Sequence, residues 1–421
     1  MSFLEIFQGI GTLFESSPGV PQDTGIAVGR IALIALGVVL VLLGNKRVLE
    51  PLIMVPMGFG MVAINAGMLF GFKVPLDGNP DNTINLTNIM IDPMEPTTTG
   101  VVNLMQIDFL QPIFTLTFSN GLIACIVFMG IGVITDISPV LRYPFTSMLI
   151  ALFAELGTIL IFPIAIAMGF SPGEAASTAI IGGADGPMVL FASLRLAPDF
   201  FVPLTLIAYL YLSICYGVYP FLIRLFIPKE IRGKAIEFQK TENRQISPKA
   251  KLLFDIIACL ILCLLFPVAS PLFMSFFLGN AVKEILVKGY SELLEKVFLY
   301  TGTFFLGLLL GILCDANTLF GDERVLKLLI LGFLALFLAA IGGLIGGYVV
   351  YGINMKNYNP TIGIAGVSCL PTTAKVVQHE VTEANKKTFV LQYAMGASVC
   401  GVITSAILTG IYVTVILPYV V

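Results

Sequence analysis

Apolar residues in this chain do not alternate, nor do they mark one face of an otherwise polar helix. They fill whole runs, many of about 20 residues, which is the length a helix needs to cross the hydrocarbon of a bilayer. Ten such runs are read, at about 26–44, 51–72, 112–135, 146–169, 200–227, 252–269, 271–285, 297–316, 326–351 and 389–417. Ahead of them, MSFLEIFQGIGTLFESS (1–17) mixes apolar and acidic positions, a pattern expected of a short amphipathic helix lying in the interface. No Lys or Arg precedes the first run and no small-residue cleavage site follows it, so that run is expected to stay in the mature protein.

Two stretches interrupt the pattern, 171–195 and 359–378, each rich in Gly and Pro. Positive residues favour the cytoplasmic side. Lys229, Arg232, Lys234, Lys240, Arg244, Lys249 and Lys251 form the strongest basic cluster, and Asp77, Asp81, Asp92, Glu95 and Asp108 against Lys73 make an acidic loop expected outside. Threading the spans on those marks puts Lys283, Lys288, Lys296, Lys356, Lys386 and Lys387 inside, and leaves Arg324 and Lys327 outside with Asp322 and Glu323. The stretch 171–195 must then enter and leave from outside and 359–378 from the cytoplasm, giving two re-entrant hairpins of opposite orientation. Phe128-Met-Gly130 followed by Asp136 is weakly similar to Phe305-Leu-Gly307 followed by Asp315, each ahead of a span and an interrupted stretch. Interrupted segments in matching positions of two halves point to a midplane binding site in an inverted-repeat transporter fold.

The expected architecture is therefore an all-α integral membrane protein with no soluble domain of its own, about ten transmembrane helices and two oppositely oriented hairpins. Its parts are an interfacial helix and scaffold spans (1–72), an external acidic loop (73–110), a first repeat (111–227), a cytoplasmic basic loop (228–251), further scaffold spans (252–296) and a second repeat (297–421). Composition agrees, since the 421 residues are 57% apolar and 12% charged, against roughly a quarter charged in a soluble domain. The formal net charge of −3 counts against nucleic acid as a partner. Cysteines 125, 215, 259, 263, 314, 369 and 400 fall mainly in apolar runs without metal-ligand spacing and read as buried free thiols. The single histidine, His379, reads as a polar residue at a helix end.

Candidate chemistry concentrates in the interrupted stretches. Ile181-Gly-Gly-Ala-Asp-Gly-Pro-Met188 sets Asp185 among helix breakers in an apolar region, and a carboxylate beside unwound backbone carbonyls is a hard oxygen site suited to a small cation. In the second stretch Asn359, Ser368, Thr372 and Thr373 offer neutral oxygens between Pro360 and Pro371, and Lys375 a cation. Tyr209, Tyr211, Ser213 and Tyr216 line the span after the first stretch. Tyr211 or a neighbour is read either as a proton donor or cation-ordering group or as plain packing. Glu155 is a further mid-span carboxylate, and Asp136 and Asp255 lie near span ends; each either contacts the cation or pairs locally. Gly342, Gly343, Gly346 and Gly347 read as close helix packing, because no Lys-Ser/Thr follows them as in a phosphate loop. Met355-Lys356 lacks the neighbours of a biotin-attachment lysine.

At these stretches the sequence resembles the β subunits of sodium-pumping, biotin-dependent decarboxylases, the family of oxaloacetate, methylmalonyl-CoA, glutaconyl-CoA and malonate decarboxylases. The resemblance covers nearly the whole chain: Glu50-Pro-Leu-Ile with Gly58-Phe-Gly60, Phe128-Met-Gly-Ile-Gly132 with Thr135-Asp136, Gly182-Gly-Ala-Asp-Gly-Pro187, Asn359-Pro360, and Gly363-Ile-Ala-Gly-Val-Ser368 with Pro371. It implies Asp185, Asn359 and Ser368 as sodium ligands, Asp185, Ser368 and Tyr211 as the groups of a sodium–proton exchange, Tyr211, Ser368 and Lys375 as catalytic residues, and Lys375 and Asn359 as contacts for carboxybiotin. It implies sodium and carboxybiotin presented by a separate biotin carrier, with no biotin on this chain. The partners implied are that carrier, a carboxyltransferase α subunit, a small membrane-anchored subunit, further copies of this chain and the bilayer, in a bacterial cytoplasmic membrane. The activity implied is carboxybiotin decarboxylation at the cytoplasmic side, coupled to outward sodium transport and consumption of an external proton, on an elevator-like carrier. Oxaloacetate-type members tend to have Arg, His and Asn where this chain has Lys375, Tyr393 and Ser398, which tilts the reading toward an acyl-CoA substrate. The residues alone also allow a sodium-coupled secondary carboxylate transporter with no enzyme partner, which would use Lys375 and Arg195 to hold its substrate.

Overall fold

The computed structural model describes residues 24–68, 72–75, 83–86, 110–236, 246–320, 322–370 and 372–420. The helix expected over 1–17, the acids at 77, 81, 92, 95 and 108, and Lys240, Arg244 and Pro371 lie outside them.

Each of the ten apolar runs is helical over most of its described residues. The principal helices are α1 (Thr24–Asn45), α2 (Pro51–Ala63), α3 (Leu122–Ile134), α4 (Pro144–Ala154), α5 (Leu156–Ala167), α6 (Pro172–Ile180) and α7 (Gly186–Leu196) in the first half. There follow α8 (Phe201–Phe226), α9 (Pro248–Leu265), α10 (Ser270–Glu284), α11 (Leu299–Leu313), α12 (Arg324–Ile353), α13 (Thr372–Ala384) and α14 (Leu391–Ile416). Six candidate membrane spans, Gly25–Asn45, Pro144–Ala167, Pro198–Cys215, Lys288–Leu313, Arg324–Ile353 and Leu391–Tyr419, are long and apolar enough to cross a bilayer, and four shorter apolar helices accompany them. This is a multi-pass membrane protein. Helix is the enforced choice, because lipid offers no partner for an unpaired backbone group. Prolines sit in the first turn of α2, α4, α6 and α9, where a missing N–H costs nothing. Leu260, Leu264 and Leu265 on α9 are 58–73% exposed, as expected of a lipid-facing stripe. One departure from the all-helical expectation is a short antiparallel ribbon, β1 (Phe72–Pro75) with β2 (Thr83–Leu86), pairing Phe72 with Leu86 inside the stretch read as a loop.

The chain forms two compact units. The first comprises residues 1–123 and 303–325. Its helices touch through glycines: a Cβ on Gly37 would lie 2.8 Å from the Gly58 carbonyl oxygen, and one on Gly60 2.6 Å from that of Leu308. Asn65, in a π turn after α2, donates to the carbonyls of Met61 (2.9 Å) and Cys314 (2.7 Å) and accepts from the Ala316 N–H (3.2 Å), so a fully buried amide is satisfied on three sides.

The second unit, residues 124–302 and 326–421, holds both interrupted stretches. Along the chain one order of elements occurs twice. A helix ends at an aspartate (α3 and Asp136; α11 and Asp315), then come a short helix, a long apolar stretch (α4–α5; α12), a broken segment, and a long closing helix (α8; α14). The weak repeat in the sequence thus corresponds to a repeat of elements.

Candidate functional site

The first broken segment starts with a reciprocal cap. Ser171 Oγ accepts from the Glu174 N–H, and the Glu174 carboxylate accepts from the Ser171 N–H at 2.9 Å. Helix α6 tightens into a single 3₁₀ turn, Ile181–Gly183, and stops at Ala184, whose φ of 54° is left-handed. A non-glycine residue there carries local strain, a feature found where backbone is bent for a purpose. Asp185 follows in extended conformation and caps α7, its carboxylate accepting from the Met188 N–H at 3.3 Å. The side chain is buried. Because residue 186 is glycine, the Tyr209 ring closes over it, with the phenol oxygen 2.8 Å from where a Cβ would stand. The Tyr209 hydroxyl is buried and has no hydrogen-bond partner among the described residues.

In the second broken segment Asn359 Oδ1 accepts from the Thr361 N–H (3.0 Å), and Nδ2 donates to the carbonyls of Arg232 (2.8 Å) and Lys234 (2.9 Å). A 3₁₀ turn, Pro360–Gly366, leads to extended Val367, then Ser368 and α13. The two segments meet at one atom, the carbonyl oxygen of Gly183, which accepts from both the N–H (3.2 Å) and the hydroxyl of Ser368. Glycines make that approach possible from every side. Gly343 of α12 packs on Gly363, Gly347 on Pro360, and Gly401 of α14 on Gly366. The run 342–347 is helix packing, as its sequence context indicated.

A second cluster borders the same crossing. Between α4 and α5, in the middle of an apolar stretch, the helix is interrupted at Glu155. The buried Glu155 carboxylate accepts from Thr158 Oγ1 (2.6 Å) and the Ser405 hydroxyl, and Thr404 Oγ1, whose hydrogen has the closer Cys400 carbonyl (2.9 Å) as acceptor, lies 3.4 Å away.

Of the residues singled out in the sequence, Ser368 reaches the first segment at the Gly183 carbonyl, two residues before Asp185. Asn359 lies at the start of its segment with both ends of its amide engaged by protein groups. Lys375 is exposed on α13. The Tyr211 hydroxyl donates to the Leu329 carbonyl (2.6 Å) and its ring lies against Gly332 of α12. A step of two residues turns a helix by roughly 200°, so Tyr209, not Tyr211, faces Asp185. Asp136 pairs locally: burial pushes its carboxyl up, but hydrogen bonds from Ser138 and the Lys251 ammonium at 3.1 Å outweigh this and hold it below the usual range. Asp255 is buried, with neither carboxylate oxygen hydrogen-bonded. Tyr393 is buried between Tyr143 and Tyr358, and Ser398 faces Thr373 at 3.4 Å. Arg195 stacks on Phe191. His379 is exposed next to Glu380 and Glu383, but both carboxylates are bound by Arg224 at 2.5–2.8 Å. All seven cysteines are free.

A protein-family model described as Na+-transporting oxaloacetate decarboxylase beta subunit matches residues 29–416. The chain belongs to this family. This beta subunit is 52% identical over 411 residues, 98% of each chain, to a carboxybiotin decarboxylase of Malonomonas rubra. It is 28% identical to an oxaloacetate decarboxylase beta chain of Haemophilus ducreyi (97% of this chain, 98% of the relative) and 29% identical to a methylmalonyl-CoA decarboxylase subunit beta of Veillonella parvula (93% and 95%). Membership makes it a decarboxylase subunit of a sodium-transporting, multi-subunit membrane complex and decides against a transporter without an enzyme partner. The oxaloacetate and methylmalonyl-CoA relatives are about equally distant from this chain, at 28% and 29% identity.

Proposed function

We propose that this beta subunit decarboxylates carboxybiotin brought to its cytoplasmic face by a separate carrier, and that the reaction drives sodium outward while a proton is taken up from outside. The observation that carries the reading is Asp185, a buried carboxylate at the break of one segment where it meets the other. A charge at that depth costs at least a few kcal/mol and persists where it binds a cation.

The ten apolar helices are read as transmembrane and the two broken segments as re-entrant hairpins entering from opposite sides, in an inverted repeat. Lys375 stands at the cytoplasmic end. It shares α13 with the region whose following residues Asn385 and Thr388 donate to the Gly233 carbonyl (3.0 and 2.8 Å), inside the basic cluster. That end suits a docked carboxylate. Decarboxylation breaks the N–C bond of carboxybiotin, releases CO₂ and leaves biotin nitrogen to be protonated, so each turnover consumes one proton.

Asp185 and Ser368 are assigned to sodium, with Tyr209 taking the place the sequence pattern gave Tyr211: its unpartnered hydroxyl is positioned to bind the cation or relay the proton beside Asp185. Asn359 fixes the second hairpin to the basic loop. Coupling follows when proton and sodium compete for the same oxygens, since only a difference in affinity between inward and outward states moves the equilibrium. Each charge moved against the potential costs about 2.3 kcal/mol per 100 mV.

The test is carboxybiotin decarboxylation by the purified complex with and without sodium. Sodium-stimulated CO₂ release in the wild type, lost in Asp185→Asn, supports the reading; sodium-independent release, unchanged in the variant, refutes it.

A further inference from the structure

The crossing of the two broken segments is bordered by a second carboxylate that the proposed reaction does not use. Glu155 is 2% exposed, lies at a helix interruption in the middle of the 24-residue apolar stretch Pro144–Ala167, and receives the hydroxyls of Thr158 and Ser405, with that of Thr404 at 3.4 Å. No Lys, Arg or His among the described residues pairs with it. An ionised carboxylate taken out of water carries a penalty of several kcal/mol that neutral donors reduce but do not cancel, because they supply no charge. The group is therefore neutralised either by its own proton or by a cation from outside the chain.

Its surroundings say what kind. Two carboxylate oxygens with the buried hydroxyls of Thr158 and Ser405 and the part-buried one of Thr404 make a cluster of five oxygens. A hydroxyl that now donates its hydrogen keeps two lone pairs, and rotation about the C–O bond turns one toward a cation. Oxygen ligands alone, with a single negative charge, suit a hard monovalent ion rather than a divalent or soft one.

The cluster touches the first hairpin directly. A Cβ on Gly183 would stand 2.6 Å from Ser405 Oγ, and one on Gly182 2.6 Å from the Thr158 backbone nitrogen. Asp185 lies two residues beyond Gly183 and within electrostatic reach of Glu155. On the Asp185 side the buried, unpartnered Tyr209 hydroxyl is a further oxygen left without a partner. The glycine pair thus has a carboxylate on each side.

We propose that Glu155, Thr158, Thr404 and Ser405 form a second binding site for a small monovalent cation, distinct from the one at Asp185 and linked to it through the Gly182–Gly183 turn. The proposal rests on the sodium-transport reading given above and adds a site to it. Each carboxylate attracts a cation held at the other, and an ion bound at one cancels that attraction, so the two ions bind with negative coupling that by linkage is mutual.

The experiment is equilibrium binding of ²²Na⁺ to the purified complex, together with carboxybiotin decarboxylation by the same samples. Wild type is expected to bind two sodium ions per chain, and Glu155→Gln and Asp185→Asn one each, with sodium affinity at the remaining site weakened several-fold. A double variant, Thr158→Val with Ser405→Ala, keeps the charge and removes two ligands; at least a tenfold loss of affinity at one site is expected, and this variant decides the matter if Glu155→Gln does not assemble. One sodium per chain in the wild type, or unchanged binding in both variants, overturns the proposal and leaves Glu155 a structural acceptor. Binding that changes only with pH, with no sodium lost, makes the site one for protons and overturns it as well. Two bound sodium ions without decarboxylation would sink the enzymatic reading while leaving the site standing, and decarboxylation with one bound ion would do the reverse.

Discussion

Replacing Gly182 by alanine tests whether the contact between the first hairpin and α5 governs the site. The added Cβ would lie 2.6 Å from the Thr158 backbone nitrogen and 2.7 Å from the Gly157 carbonyl carbon, where ordinary contact begins at 3.4 Å. Neither neighbour is a side chain that can rotate away, so hairpin and helix must part by about 0.8 Å, the difference between these distances. Overpacking of that size costs about 1–3 kcal/mol. If the strain is relieved by displacing the hairpin, sodium-dependent turnover falls about 5- to 150-fold, at 1.4 kcal/mol for each factor of ten. The assay is sodium-stimulated carboxybiotin decarboxylation at several sodium concentrations, run with thermal unfolding of the complex followed by circular dichroism. Gly217→Ala is the control, because nothing lies within 4 Å of its added carbon. A Gly182→Ala complex with the wild-type rate and sodium half-saturation refutes the reasoning, and so does one that loses only thermal stability.

Tyr209→Phe is expected to lower sodium-stimulated turnover at least tenfold, with little change in thermal unfolding, whereas Tyr211→Phe removes the bond to the Leu329 carbonyl, lowers stability by about 1 kcal/mol and leaves sodium half-saturation unchanged. Kinetics and unfolding of the two variants side by side check this, and the opposite pattern restores Tyr211 to the site. Asn65→Ala leaves buried backbone groups of the first unit unpaired, and the complex should lose about 1–3 kcal/mol of stability, read by circular dichroism; an unchanged melting temperature contradicts it. Burial pushes Glu380 up, but the hydrogen bonds and charge of Arg224, with Arg232 at 3.8 Å, hold it below its ordinary range. A carboxyl depressed in the folded state contributes stability that is complete above the unfolded value, about 4.3, and is lost as pH falls through the folded one. Arg224→Ala should therefore lower stability by about 1 kcal/mol at pH 7, Arg224 being half exposed, with the gap to wild type closing below about pH 4. A gap independent of pH would show that Glu380 is not the group involved.

The sequence carried the helices because a bilayer allows few alternatives: an apolar run that spans it has to be helical, and each of the ten is so over most of its described residues. The broken segments were equally visible, since Gly182-Gly183 and Pro187 in one, and Pro360 and Gly363 in the other, cannot continue an ideal helix. What stayed hidden depends on rotation about helix axes and on contacts between distant residues. Tyr209 and Tyr211 both read as span-lining tyrosines, and only packing on Gly186 and on Gly332 separates them. Glu155 was visible as a mid-span carboxylate, and Thr158 three residues later, on the same helical face, was a legible partner. Ser405, 250 positions away, was not. The short ribbon at 72–75 and 83–86 was missed because its alternation, Phe72-Lys73-Val74 and Thr83-Ile84-Asn85-Leu86, runs over only four residues at a time in a stretch otherwise rich in polar and acidic positions.

The central claim is that Asp185 couples carboxybiotin breakdown to sodium movement. Its most direct test is ²²Na⁺ transport in proteoliposomes carrying the reconstituted complex, with CO₂ release measured in the same vesicles. The account predicts sodium accumulation in step with CO₂ release in the wild type, and loss of both in Asp185→Asn; sodium accumulation by the variant, or wild-type decarboxylation with no sodium movement, would contradict it.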